Sequence, residues 1–182
     1  MKKLKSINDI PLKYIRSILK IDSKSPSGLT WLPREDGQFN FDNKSAGCKH
    51  TSQKKYKSWR LSINYNGKAK SLLASRIIFL LHNKYLTKEK CIDHIDNNSL
   101  NNSIENLREG TISQNNMNSK RSKINTSGHK GVFWHKSSGK WQVRIRLNGK
   151  EHYFGLYANK KDAIKVAIAA RKKLHGEFGR DE

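Results

Sequence analysis

The chain has few acidic residues, few cysteines and prolines, and no long apolar run. It carries 15 Asp and Glu against 37 Lys and Arg, which gives a formal net charge of +22 at pH 7. A chain this basic repels itself unless it meets a polyanion, so nucleic acid is the expected partner. A basic surface that serves only solubility is the alternative reading of the charge.

The shortage of long apolar runs argues against a membrane protein. No run approaches the ~18 residues that a membrane span needs. Met1, Lys2 and Lys3 are not followed by the apolar stretch of a secretory signal. We therefore expect no membrane attachment and a cytoplasmic location.

The two cysteines, Cys48 and Cys91, are too few for a disulfide framework and favour a reducing compartment. Together with His50 and His94 they could supply four zinc ligands. The spacing matches no known zinc motif, and His94 has a better use in the chemistry considered below.

Composition also bears on the number of domains. Hydrophobic residues make up 35% of the 182 residues, which favours two small modules over one large core. Residues 119–130 are basic and poor in apolar side chains, as linkers often are. We therefore predict a first domain over 1–120, a basic linker over 121–128 and a second domain over 129–182.

Local patterns predict a mixed α+β chain. Asp9 and Pro11 are typical of a helix start, and Leu12, Ile15, Ile18 and Leu19 recur at helical spacing. Residues 33–57 are polar and irregular, and their pattern says little about their structure. The other elements predicted in the first domain are strands at 29–32, 59–65, 68–73, 91–94 and 106–109 and helices at 74–82 and 112–120, the last with Thr111 as its N-cap.

The Asn66-Gly67 pair predicts a two-residue hairpin, because a type I′ turn needs positive φ at both central positions. The same device recurs at Asn148-Gly149, with a matching Trp, Ile and Lys around it. Either a duplication or two independent solutions of the same hairpin problem explains this. The matching residues are Trp59, Ile63, Asn66, Gly67 and Lys68 in the first hairpin and Trp141, Ile145, Asn148, Gly149 and Lys150 in the second.

Residues 129–182 predict a three-stranded antiparallel sheet packed on one helix. The strands are expected at 129–135, 140–147 and 150–157, and the helix is expected between the cap Asn159 and Gly176. One sheet face alternates into a core, and the other carries Arg144 and Arg146. Such a face fits the DNA major groove, but an ordinary solvated face has the same composition.

The most unusual stretch is 91–118, which is rich in asparagine and contains the adjacent pair Asp93 and His94. Hydrolysis of a phosphodiester needs an activated water and a divalent cation. His94 suits the first task, because imidazole titrates near neutral pH. Asp93 and Asn115 offer hard oxygen ligands that favour Mg²⁺ or Mn²⁺. A solvated turn is the plainer explanation of the pair.

The phrases Asp93-His94-Ile95-Asp96 and Glu105-Asn106-Leu107-Arg108, with Asn115 nine residues after Asn106, resemble the HNH or ββα-metal nucleases, especially the phage and intron-encoded homing branch. The resemblance implies that His94 is the general base, Asp93 and Asn115 are metal ligands and Asn106 tethers the loop. Histidine is common where this chain has Asn115, which puts transition-metal use in doubt. Arg76 is either a phosphate contact or a plain surface arginine. Because neighbours on a strand point to opposite faces, we expect the strand to end or bulge at His94.

The second domain resembles the Apetala2-type DNA-binding domain of plant transcription factors. The resemblance rests on Lys130-Gly131-Val132, Gly139-Lys140-Trp141, Phe154-Gly155 and the Ala-rich helix that ends at Leu174-His175-Gly176. It implies a DNA-contacting sheet face, although Phe133, Arg144 and Glu151 differ from the plant pattern, so the base sequence read by plant members does not transfer. The positions matching this face are Lys130, Phe133, His135, Arg144, Arg146, Glu151 and Tyr153.

The expectation from sequence is therefore a site-recognising, homing-type DNA endonuclease, possibly a nickase, which uses one divalent cation and no small-molecule cofactor. One catalytic segment per chain favours a monomer acting on double-stranded DNA. One alternative is a DNA-binding regulator with an inactive nuclease module. Another is an RNA-binding protein, although an RNA-reading sheet usually carries paired aromatic side chains, which we do not expect on the Arg144 and Arg146 face.

Overall fold

The structure is a computed structural model that describes residues 7–33, 43–53 and 56–181. The chain divides into two compact units, Met1–Glu109 and Gly110–Glu182. This division lies upstream of the linker predicted at 121–128. Residues within that predicted linker form hydrogen-bonded turns, in which Ser127 is buried and donates to the carbonyl of His129.

The first unit is built from short strands and two helices. A 3-10 turn at Ile7–Asp9 opens it, and another at Ile104–Asn106 precedes its last strand. The elements are α1 (Leu12–Ile18), β1 (Leu19–Ile21), β2 (Leu29–Trp31), β3 (Cys48–Thr51), β4 (Lys57–Tyr65), β5 (Lys68–Leu73), α2 (Ala74–Asn83), β6 (Cys91–His94) and β7 (Leu107–Gly110).

The sheets of this unit are small and mostly antiparallel. β1 pairs with β2, β3 and β5 flank β4, and β6 lies beside β7. The β4–β5 hairpin has the predicted two-residue turn, because Tyr65 pairs with Lys68 and both Asn66 and Gly67 have positive φ. The alternation of β4 buries Leu61 and Ile63 against Ile77 and Ile78 of α2.

One prediction in this half differs from the structure, and one strand was not predicted. The first helix ends at Ile18, and Leu19 begins β1 opposite Trp31. Leu19 is buried in either arrangement, so its place in the apolar pattern could not decide between helix and strand. β3 gave no signal because all four of its residues are exposed and show no alternation.

The second unit begins with α3 (Ile112–Met117), which is followed by β8 (Val132–His135), β9 (Lys140–Leu147), β10 (Lys150–Tyr157) and α4 (Lys160–His175). The strands form an antiparallel sheet in the order β10-β9-β8. A small core joins Val132 and Val143 of the sheet to Ala163 and Ala167 of α4. The expected sheet with one helix is therefore present.

Side-chain caps explain where both α-helices of this unit begin. Thr111 and Gln114 form a reciprocal capping box at the start of α3, and Asn159 accepts the Lys161 N–H at the start of α4. The helix predicted at 112–120 is shorter than expected and ends at Met117. Among the described residues, no helix is long and apolar enough to cross a membrane.

Candidate active site

β6 presents the predicted catalytic pair at its end. The strand ends at His94, as expected because adjacent strand residues point to opposite faces. Asp93 is 2% exposed and faces the interior, whereas His94 is half-buried. The two side chains therefore have different partners.

The partner of Asp93 is Arg108 on β7. The Arg108 Nε and Nη2 atoms lie 3.0 and 2.9 Å from Asp93 Oδ2. The side chains are only 3% and 15% exposed for Asp93 and Arg108, so this is an ion pair largely screened from solvent. Arg108 ends the Glu105-Asn106-Leu107-Arg108 phrase, but its pairing with Asp93 was not predicted from the sequence.

The His94 ring is held by the side chain of Asn102. Its Nε2 lies 3.1 Å from Asn102 Oδ1, and Asn102 Nδ2 donates to the carbonyl oxygen of Ser27 at 2.9 Å. Asn102 is 6% exposed and Ser27 is fully buried. Neither residue was assigned a role from the sequence.

Asn106 lies at the centre of the hydrogen bonds that close the loop after His94. Its Nδ2 donates to Asp96 Oδ1 and to the Asn101 carbonyl, while its Oδ1 accepts the Asp96 N–H. Burial alone would raise the pKa of Asp96. Hydrogen bonds from Asn101, the Asn98 N–H and Asn106 outweigh burial and hold the pKa of that carboxyl below its usual range. The tethering role assigned to Asn106 stays a prediction, with this geometry in its favour.

The remaining two residues of the predicted nuclease site belong to helices. Asn115 is an exposed residue of α3 in the second unit, where its N–H bonds to the Thr111 carbonyl. Arg76 is on α2, and its Nη1 donates to the Lys90 carbonyl at 3.1 Å, directly before β6.

The exposed face of the second sheet carries a small charged network. Arg144 and Arg146 lie 3.2 and 3.5 Å from the two oxygens of Glu151 on the neighbouring strand. The Arg144 guanidinium also stacks on Phe133, at 4.7 Å from the ring centroid. Tyr153 pairs directly with Arg144 across the strands and is 60% exposed.

This face also carries two aromatic side chains. Phe133 and Tyr153 both lie beside Arg144, one on each outer strand. They belong to the strands on either side of β9, and the register places them on the same face as Arg144.

The other two predicted DNA contacts use their polar atoms locally. Lys130 Nζ donates to the carbonyls of Met117 and Ser119 at the end of α3. Burial, together with the nearby charges of Arg171 and Arg180, lowers the pKa of Lys130 to about 8. His135 Nδ1 lies 2.8 Å from Ser138 Oγ in the β8–β9 turn.

The donor chemistry at the end of β6 fits a hard divalent cation. Asp93 supplies a buried carboxylate whose orientation is fixed by Arg108, the type of outer partner that positions metal ligands. In the described part of the chain, no three His, Cys, Asp or Glu side chains cluster as they would in an all-protein metal cage. Mg²⁺ does not require such a cage, because it retains several waters and often takes only one or two carboxylates.

One region of the chain matches a known protein family. Residues 72–117 match the HNH endonuclease family, and this range contains Asp93, His94, Asn106 and Asn115. An HNH endonuclease domain is therefore present in the chain, and such a domain implies DNA as its substrate.

The chain also matches Protein 3.8 of Escherichia phage T7, with 39% identity over 92 residues, which cover 49% of this chain and 73% of that protein. The chain belongs to the same family as this phage protein. No solved structure matches the chain significantly.

Proposed function

We propose that the protein is a metal-dependent DNA endonuclease that cuts one phosphodiester bond at a time through His94. The observation that carries the proposal is the position of His94 within the HNH domain, at the end of β6, with its Nε2 held by a buried amide. A fixed imidazole at a strand end is suited to accept a proton from water.

In the proposed reaction, His94 removes a proton from a water molecule whose oxygen attacks the phosphorus. The P–O3′ bond breaks, and the leaving oxygen takes up a proton, giving 5′-phosphate and 3′-hydroxyl ends. Asn106 keeps the loop after His94 closed through its bonds to Asp96 and Asn101. Asp93 and Asn115 are the proposed ligands of Mg²⁺ or Mn²⁺. When bound, the cation supplies positive charge beside the leaving oxygen.

The charge distribution of the first unit supports a DNA substrate. From Asn43 to Lys88 the sequence has no Asp or Glu and has eleven Lys and Arg. This stretch contains the β3–β4–β5 sheet and α2 with Arg76. A stretch without acidic side chains attracts phosphates, and Arg76 within it is a proposed phosphate contact.

We assign DNA recognition to the second unit, as an Apetala2-like sheet within the proposed domain 129–182. The face that carries Phe133, Arg144, Arg146 and Tyr153 combines cationic and aromatic side chains. Lys130, two residues before β8, and His135, at the end of β8, complete the proposed contact set. A homing role, a monomeric state on DNA and a location in the host cytoplasm are part of the same proposal.

A nucleic-acid-binding protein without nuclease activity is the second candidate. Phe133 and Tyr153 favour it in one form, because paired exposed aromatics on a sheet also suit single-stranded RNA. The ion pair of Asp93 and the hydrogen bond of His94 would then have only structural roles.

Nicking of supercoiled plasmid by the purified full-length chain tests the proposal. We expect open-circular DNA to accumulate with Mg²⁺ or Mn²⁺ and not with EDTA. We expect labelled single-stranded RNA to remain intact under the same conditions. An absence of nicking with either metal would contradict the proposal and leave the binding-protein candidate.

The metal profile of this assay tests Asn115. An amide oxygen is hard and neutral, whereas an imidazole is softer and favours Zn²⁺, Ni²⁺ and Co²⁺. Asn115→His should extend activity to these ions and lose some activity with Mg²⁺, while Asn115→Ala should raise the Mg²⁺ concentration for half-maximal nicking. Asn116→Ala, a change at the next exposed position of α3, serves as the control. Identical metal profiles for the wild type and the three variants would remove Asn115 from the ligand set.

Glu151 is expected to limit nonspecific DNA binding. It contacts both Arg144 and Arg146, and exposed ion pairs of this kind are weak enough to open for a phosphate. Glu151→Gln should strengthen binding to random-sequence duplex at moderate salt. The slope of log affinity against log salt should become steeper by up to about 0.9, the value of one phosphate contact.

Glu177→Gln is the matched control, because it makes the same charge change on the turn after α4. If the two variants bind random DNA equally well, the effect reflects net charge alone and the sheet face is not the contact surface.

A further inference from the structure

We propose that Asn102 is a positioning residue that fixes both the tautomer and the ring orientation of His94. This inference rests on the proposed function, in which His94 is the general base. It also gives a role to the segment around Ser27, which lies far from the catalytic stretch in sequence.

The direction of the Asn102 side chain follows from its partners. A backbone carbonyl can only accept, so the group 2.9 Å from the Ser27 oxygen must be the amide NH₂. The Asn102 carbonyl oxygen therefore faces His94 Nε2, at 3.1 Å. That oxygen can also only accept, so neutral His94 must carry its proton on Nε2. The lone pair of the ring is then on Nδ1, which is the nitrogen able to take a proton from water.

The Ser27 carbonyl is itself held in place. Ser27 is fully buried, and its hydroxyl donates to the Ala46 carbonyl at 2.5 Å and accepts the Leu29 N–H at 3.2 Å. Gly28 follows with a φ of +82°, a conformation that favours glycine. A Cβ at this position would lie 2.8 Å from Ile78 Cδ1 and 3.5 Å from Asn102 Cβ. The Ser27-Gly28 turn therefore brings the carbonyl close to Asn102 with no side chain intervening.

Burial of Asn102 favours one orientation of its side-chain amide over the flipped one. Asn102 is 6% exposed, so a flipped amide would set its NH₂ against the Nε2–H of this tautomer and its oxygen against the Ser27 carbonyl, with little water to compensate. Outer partners that orient a functional histidine typically contribute about 10–100-fold to activity. The effect of Asn102 should lie in this range and remain below that of His94 itself.

Two substitutions separate positioning of His94 from support of the fold. Asn102→Leu removes both hydrogen bonds, whereas Asn102→Asp keeps an acceptor for His94 and loses the donor to Ser27. We expect the single-turnover nicking rate of Asn102→Leu to fall about 10–100-fold with unchanged DNA affinity. Asn102→Asp should keep most of the nicking rate that Asn102→Leu loses. Equal losses in the two variants would make Asn102 a fold support and overturn the inference.

Nitrogen-15 NMR of the His94 ring supplies a readout that needs no activity and no variant. When the His94 ring of the wild-type protein is neutral, we expect a protonated Nε2 and an unprotonated Nδ1. A protonated Nδ1 would overturn the inference. Asn101→Leu, which removes a side-chain hydrogen bond to Asp96 in the same loop, should leave the His94 tautomer unchanged.

The same experiments distinguish this inference from the proposed function. If the wild-type chain does not nick DNA with Mg²⁺ or Mn²⁺, the proposed function fails and takes the catalytic role of Asn102 with it, while NMR still decides the tautomer. If the wild type nicks, His94→Ala does not, and Asn102→Leu nicks at the wild-type rate, only the role of Asn102 is overturned.

Discussion

His94→Ala is expected to abolish DNA nicking while leaving DNA affinity nearly unchanged. A general base stabilises the transition state and contributes little to binding of the ground state. Such a base is worth about 10²–10⁴ in rate, so residual nicking should be at or near background. Single-turnover nicking and a filter-binding or anisotropy measurement on the same DNA give the two quantities.

A suitable control is His135→Ala, which changes a histidine at the end of β8 outside the HNH match. This variant should lose affinity and keep its nicking rate at saturating protein. If His94→Ala nicks within a few-fold of wild type, His94 is not the base, whatever the behaviour of the control.

Local elements of the fold were predictable because their signals lie within a few residues. The Asn66-Gly67 and Asn148-Gly149 turns have positive φ at both positions, as type I′ hairpins require. The caps Thr111 and Asn159 accept the expected N–H groups at the starts of α3 and α4. In each case the residue type and the backbone conformation are linked directly, without help from distant contacts.

The two hairpins also lead into similar surroundings. Each belongs to a three-stranded antiparallel sheet that is followed by a helix, α2 in the first unit and α4 in the second. The matching Trp and Ile occupy matching strand positions, with Tyr65 paired to Lys68 and Leu147 paired to Lys150. This likeness extends beyond the turn to the sheet and to the helix that follows it.

The partners of the candidate site could not be predicted because they depend on long-range contacts. Asn102 bonds to the carbonyl of Ser27, a residue 75 positions earlier. The backbone oxygen of Ser27 has no signature in the sequence. Arg108 is 15 positions from Asp93, and only the position of β7 beside β6 pairs their charges. Local sequence therefore indicated the proposed reacting groups and missed the groups that hold them.

Removal of the Asp93 carboxylate should have two separable effects, one on catalysis and one on stability. The side chains of Asp93 and Arg108 are only 3% and 15% exposed, and loss of one member of such a buried pair typically costs about 3–5 kcal/mol. Asp93→Leu and Arg108→Met should therefore each lower the free energy of unfolding by an amount near this range. Urea denaturation measures this change.

The double variant Asp93→Leu/Arg108→Met separates the two roles. Replacement of a buried ion pair by apolar side chains is often neutral for stability, so the double variant should be more stable than either single variant. It should still fail to nick, because the proposed metal ligand is absent. Arg108→Met alone should keep a nicking rate reduced about 10–100-fold, as expected for a residue that orients a ligand. If the double variant regains nicking together with stability, Asp93 contributes only to the fold, and the cation must bind through other residues.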